Sequence, residues 1–251
     1  MYLLDKLSSI LNSDDRSSTL YSFAYYVYTH LFEVSDMTIN ELSGNCMLSN
    51  ASVSRMITKI GFANYKEFRE MCEEITRQYK LENPDRNHFM ITPNNIADVM
   101  TNILGPALAA IRENDLDCFL SYLAPGHTVA VTGMVNMRTV AVQIQQNLHT
   151  RSGYHVIVPS DLSVLRDLSE DDRVIILSVR GNYILLSEIM ETLMDCKAGK
   201  LLVTTTHNPR KQDYPFDHVV RLASPVPQYL INNYLVEMFV TMALCRAGLY
   251  D

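Results

Sequence analysis

Paired cysteines, leader-like segments, membrane-length apolar runs and surplus positive charge are all missing from this sequence. Its five cysteines (Cys46, Cys72, Cys118, Cys196, Cys245) are scattered over 251 residues without a C-x-x-C pair. This argues against zinc fingers and redox dithiols and for reduced thiols in a cytoplasmic protein. No segment joins a cationic start, an apolar middle and a small-residue cleavage site, and no apolar run reaches membrane-spanning length. A soluble chain with no membrane partner is therefore expected. Lys and Arg number 21 against 28 Asp and Glu, a net charge of −7, so the protein is not basic throughout. Residues 1–80 alone hold eight Lys/Arg against ten Asp/Glu, a net of −2. No Ser/His/Asp set and no metal-ligand cluster can be assembled at workable spacing. Gly133-Met134-Val135 lacks the second and third glycines of a dinucleotide fingerprint. The expectation is no catalytic residue, no metal and no cofactor.

What is present is a core and two rhythms. Hydrophobic residues make up 47% and charged residues 20%, ordinary for a globular protein, and the length favours two domains. Helical spacing runs over 1–11 and about 17–34, the second with a buried side at Leu20, Phe23, Ala24, Val27 and Leu31. Tyr21, Tyr25, Tyr26 and Tyr28 decorate its other faces and are read as packing. Thr38 starts a further helix, with Ile39 and Leu42 inward and a turn at 44–48. Asn64-x-x-Glu67 resembles a capping box ahead of a helix with Tyr65, Phe68, Met71, Cys72, Ile75 and Tyr79 on its buried side. Residues 81–94 (LENPDRNHFMITPN) keep no period and mark a linker. The expected division is 1–80 helical, 81–94 linker and 95–251 α/β.

One stretch inside the first part carries chemistry. Ser49 or Asn50 stands before an apolar ladder of Val53, Met56, Ile57 and Ile60 at i, i+3, i+4, i+7, and Gly61 falls where a left-handed stop belongs. The opposite face offers Asn50, Ser52, Ser54, Arg55, Thr58 and Lys59, with no carboxylate from Ser49 to Ile60. Amides, hydroxyls and two cations suit a polyanion lined with base edges. A bland amphipathic hairpin would carry Glu and Asp on such a face. Ser49-Asn50-Ala51-Ser52-Val53-Ser54-Arg55, Lys59-Ile60-Gly61-Phe62 and Tyr65-Lys66-Glu67-Phe68-Arg69 together resemble the helix-turn-helix of RpiR-type bacterial transcription regulators. That resemblance implies double-stranded DNA as partner, with Asn50, Ser52, Ser54 and Arg55 toward bases, Lys59, Lys66 and Arg69 toward phosphates, and Ser49 at the head of the same DNA-binding set.

The second part alternates. A helix is expected over 94–110 and a shorter one over 115–123. Strands are expected at 128–132, 155–158, 173–178, 201–204 and 218–222, with helices near 136–150, 162–168, 182–196 and 228–247 between and after them. Continuous Val/Ile/Leu strands alternating with helices imply a doubly wound, five-stranded parallel sheet, with any ligand at the strands' carboxyl ends. This half resembles the SIS phosphosugar-binding domain in layout. Of that family's G-x-G-x-S turn only Gly133 is kept, with Asn136 nearby; of its S-x-S-G-x-[ST] loop, Ser178 and Gly181 remain, with Arg180 and Asn182 between and after them. Thr205 and His207, after a later strand, would line the same crevice. The resemblance thus implies a sugar phosphate or other small anion as effector, held by Gly133, Asn136, Ser178, Arg180, Gly181, Asn182, Thr205 and His207. A homodimer or dimer of dimers is expected, because one short helix reads too few base pairs to find a genomic site. Two alternatives stand beside the regulator: a sugar-phosphate isomerase-like enzyme, and a regulator whose second domain only dimerises.

Overall fold

A computed structural model of the chain describes residues 2–12, 15–82, 92–133, 136–179, 187–205, 215–223 and 229–250. It divides into two units, Met1–Phe89 and Met90–Asp251.

The first unit is helical: α1 (Tyr2–Leu11), α2 (Thr19–Thr29), α3 (Leu31–Val34), α4 (Ile39–Asn45), α5 (Asn50–Ile60) and α6 (Tyr65–Glu82). The expected single helix over 17–34 is two. Ser18 caps α2, its side chain accepting from the Tyr21 N–H at 3.0 Å. At the far end Thr29 Oγ1 donates back to Tyr25 O at 2.8 Å and His30 leaves helical geometry at φ −121°, so the chain restarts as α3. Such back-bonding competes with helix propagation, and no apolar pattern announces it. Phe23, Ala24, Val27, Leu31, Leu42, Val53, Ile57, Ile60 and Phe68 are buried in one cluster. Phe68 is its aromatic hub, lying edge-on to Phe62 (centroids 5.7 Å apart) and tilted against Phe23 (6.3 Å) and Tyr65 (6.1 Å). The Tyr65 hydroxyl donates to Met37 O at 2.8 Å, pinning α6 to the approach to α4, and burial pushes its pKa up to about 12.

The second unit opens with α7 (Ile96–Asp98), a π turn over Val99–Leu104, α8 (Gly105–Ala109) and α9 (Glu113–Tyr122). The expected uniform helix over 94–110 widens at the π turn because Pro106 has no N–H to continue the ladder, and Gly105 N–H reaches back to Met100 O instead. Five strands follow: β1 (Thr128–Gly133), β2 (His155–Ile157), β3 (Arg173–Leu177), β4 (Gly199–Thr204) and β5 (His218–Arg221). They pair in the order β2-β1-β3-β4-β5, every pair parallel, with Ala130 opposite Val174 and Gly133 opposite Leu177. Between them lie α10 (Asn136–Leu148), a 3-10 turn over Leu162–Asp167 in place of the helix expected there, and α11 (Ser187–Asp195); α12 (Tyr229–Arg246) closes the chain. β4 starts at Gly199, ahead of the expected 201. Its second residue, Lys200, is buried with Nζ donating to Cys196 O (2.8 Å) and Ala198 O (2.9 Å), satisfying carbonyls left open at the end of α11. A lysine does not advertise itself as strand interior.

Candidate nucleic-acid interface and effector crevice

The interface begins with the turn that delivers α5. Thr38 caps α4 through a complete capping box: its Oγ1 accepts from Glu41 N–H at 3.3 Å, and Glu41 Oε2 accepts from Thr38 N–H at 2.7 Å. The Thr38 N–H first, and then Thr38 Oγ1 donating to the same Oε2 at 2.8 Å, hold the Glu41 carboxyl below the usual carboxylate range. Met47 crosses the turn at φ 54°. Ser49 is then the N-cap of α5, accepting from Ser52 N–H at 3.2 Å. Gly61, at φ 106°, ends the helix, with Phe62 N–H donating to Ile57 O at 3.2 Å. Val53, Met56, Ile57 and Ile60 all point into the core, so the polar face is turned out.

On that face the predicted residues behave differently from one another. Ser54, Arg55 and Lys59 are exposed, and neither cation has a carboxylate partner among the described residues. Arg55 lies back along its own helix, donating from Nε to Ala51 O and from Nη2 to Ser52 Oγ, both at 3.3 Å. Ser52 Oγ also stands 3.0 Å from Ser49 Oγ, which brings Ser49, Ser52 and Arg55 into one chain of polar groups. Asn50 is engaged elsewhere: its Nδ2 donates to Asn40 Oδ1 at 2.6 Å and its Oδ1 accepts from Ser43 Oγ, both on α4. Lys66 and Arg69 are on α6, each facing a carboxylate one turn on, Lys66 with Glu70 at 3.7 Å and Arg69 with Glu73 at 3.0 Å. Lys66 is 81% exposed, and pairs this open contribute about 0–1 kcal/mol, so a phosphate can compete for the cation. The box expected at Asn64 is modified: Asn64 Oδ1 accepts from Glu67 N–H (3.0 Å), whereas Glu67 Oε2 accepts from Ala63 N–H (2.7 Å).

In the second unit the sheet reverses direction of growth between β1 and β3, and the carboxyl ends at such a switch point are where parallel α/β folds take ligands. Gly133 and Ser178 stand there, buried, and exposed Asn136 opens α10 beside them. Gly133 is demanded by packing: a Cβ would meet Met137 Cβ at 2.6 Å, Met137 C at 2.9 Å and Leu177 O at 3.0 Å. Thr205 is buried, with both its N–H (3.1 Å) and its Oγ1 (2.8 Å) donating to Val179 O, and Thr204 Oγ1 reaches the same oxygen at 3.2 Å. These hydroxyls stitch β4 to the end of β3. Arg180, Gly181, Asn182 and His207 lie outside the described residues. Arg138 on α10 is a cation at this end of the sheet that the sequence reading passed over; it donates to Pro159 O and to Ser160 Oγ, both at 3.1 Å. Asn40 and Ser43 on α4 also hold Asn50, and no sequence pattern pointed to them.

Among the described residues no group of three or more His, Cys, Asp and Glu side chains could hold a metal ion. No described helix is long and apolar enough to cross a membrane.

No family model matches the chain. An HTH-type transcriptional regulator in the aarA 3′ region of Providencia stuartii is 24% identical over 243 residues, covering 94% of this chain and 83% of that one. Among solved structures, the Vibrio vulnificus NanR protein complexed with ManNAc-6P aligns over 98% of this chain and 92% of its own, with a TM-score of 0.47 and 17% identity. The sugar isomerase domain of an RpiR transcription factor from Sphaerobacter thermophilus covers 61% of this chain and 90% of its own, at TM-score 0.42 and 18% identity. A phosphoheptose isomerase from Francisella tularensis covers 61% and 96%, at TM-score 0.48 and 12% identity.

Proposed function

We propose that this chain, which has the RpiR-type layout of a helix-turn-helix unit followed by a SIS-like α/β unit, regulates transcription by placing α5 in the major groove of DNA. One observation carries the reading: α5 buries its apolar stripe and turns outward a carboxylate-free face on which Arg55 and Lys59 have no acidic partner among the described residues. The P. stuartii relative, similar along nearly the whole chain, is an HTH-type transcriptional regulator by name. Ser49, Ser52, Ser54 and Arg55 face the bases, while Lys59, Lys66 and Arg69 meet phosphates. Two chains act together on paired half-sites. A small phosphorylated or acidic metabolite, of the sugar-phosphate class, binds where β1 and β3 end, near Gly133, Asn136 and Ser178; Arg180, Gly181, Asn182 and His207 join the proposal from the sequence alone. Its binding changes how the two reading helices are presented.

The test is a titration of full-length protein against duplexes enriched from a random 20-bp pool. Arg55→Ala should weaken binding about tenfold, or, if Arg55 meets a phosphate, reduce the salt slope by about one. Unchanged affinity and slope at moderate salt overturn the reading. For the effector, thermal shifts against a panel of sugar phosphates should stabilise the wild type and leave Arg180→Ala unmoved. A second reading, in which the α/β unit only pairs chains, is favoured by the inward-turned hydroxyls of Thr204 and Thr205. It predicts no shift with any compound of the panel.

A further inference from the structure

Asn50 is the first residue of the reading helix and its face is open to solvent, yet both ends of its amide are taken by α4. Asn40 and Ser43, one turn apart on α4, receive them, and Ser43 is almost fully buried with its Oγ also 3.0 Å from Asn40 O. Reversing the amides of Asn50 and Asn40 together preserves both contacts, so the clasp does not depend on which amide atom is nitrogen. To present its amide to an adenine edge, Asn50 would have to release a buried hydroxyl and a second amide at once. Leu42 of α4 and Val53 of α5 are buried in the same apolar cluster, and apolar burial sets distance better than direction. The polar clasp is what fixes the direction in which α5 leaves the turn.

We infer that Asn50 is a positioning residue which, with Asn40 and Ser43, sets the angle of the reading helix and reads no base itself. The inference rests on α5 being the DNA-reading helix. Base discrimination then falls to Ser52, Ser54 and Arg55, whose side chains make no hydrogen bond or ion pair to α4 among the described residues.

Full-length wild type, Asn50→Ala, Asn40→Ala and the double variant should be compared on duplexes enriched by the wild type from a random 20-bp pool. Asn40→Ala, which loses one hydrogen bond of the clasp, should weaken binding about fivefold on every duplex, and Asn50→Ala, which loses both, about tenfold. The double variant should be no worse than about tenfold, because the two residues act through one clasp. Base preference at every position should stay that of the wild type. Loss of discrimination at a single base pair in Asn50→Ala, with Asn40→Ala unaffected, would make Asn50 a base reader and overturn the inference. Melting supplies a readout free of DNA: the two single substitutions should lower Tm non-additively, and additive losses would sink the clasp. If wild-type protein enriches no duplex, the regulator reading fails, and the melting cycle alone decides whether the clasp exists.

Discussion

At position 47 the chain asks a methionine to take a left-handed backbone. Met47 sits at φ 54° with 93% of its surface exposed, so no packing offsets the clash between its Cβ and the neighbouring carbonyl. That conformation disfavours an L residue by about 1–2 kcal/mol, against about 0.5–1 kcal/mol of extra chain entropy for glycine. Met47→Gly should therefore leave stability equal or raise it by up to about 1 kcal/mol, as a rise in urea midpoint without change in slope. Gly133 is the reverse case. A methyl there has Met137 and the Leu177 carbonyl within 3.0 Å, and Gly133→Ala should destabilise by about 1–3 kcal/mol in the same measurement. The sequence offers Gly133 as a candidate ligand-loop residue; its role in letting α10 pack on β1 was not legible there, since crowding appears only in three dimensions. The thiols offer a simpler check. Burial pushes Cys46 up to about 11 and Cys72 up to about 12, whereas Cys245 is exposed. A maleimide should modify Cys245 first and reach Cys72 only on unfolding.

Single elements here are held by their ends. Thr38→Ala removes one half of the capping box on α4 and should destabilise by about 1 kcal/mol. The same box gives a pH dependence. Glu41 is depressed in the folded chain, so its contribution is complete above the ordinary carboxylate pKa and fades as pH falls through the lower folded value. Asp172 joins β1 to the turn before β3 by accepting from Thr128 N–H (2.9 Å) and from Ser169 N–H (2.8 Å) and Oγ (2.7 Å). Burial acts to raise its pKa, but these bonds together outweigh it and leave it lowered. Asp172→Asn should thus reduce Tm at neutral pH and flatten the acid limb of a Tm–pH profile. A wild-type limb that starts well above the carboxylate range would contradict both assignments. Periodicity made all five strands and most helices readable, because Val, Ile and Leu runs and the α5 stripe are strong local signals. It missed the break at His30, the π turn before Pro106 and the start of β4 at Gly199, ahead of buried Lys200, where hydrogen bonds to backbone carbonyls decided the outcome. The reading face was legible for the same reason as its stripe, whereas the engagement of Asn50 with α4 joins residues ten apart and had no local signature.

Across the whole molecule, the sheet's order sets where chemistry can occur, and its flanks set how copies can meet. β2 and β5, the two outermost strands, are only three and four residues long. A neighbouring polypeptide that tried to extend the sheet from either side would gain just a few ladder bonds before the edge ran out. Any pairing of copies has little open ladder to draw on at these edges, and backbone-mediated stacking into ribbons or fibrils is discouraged by their shortness.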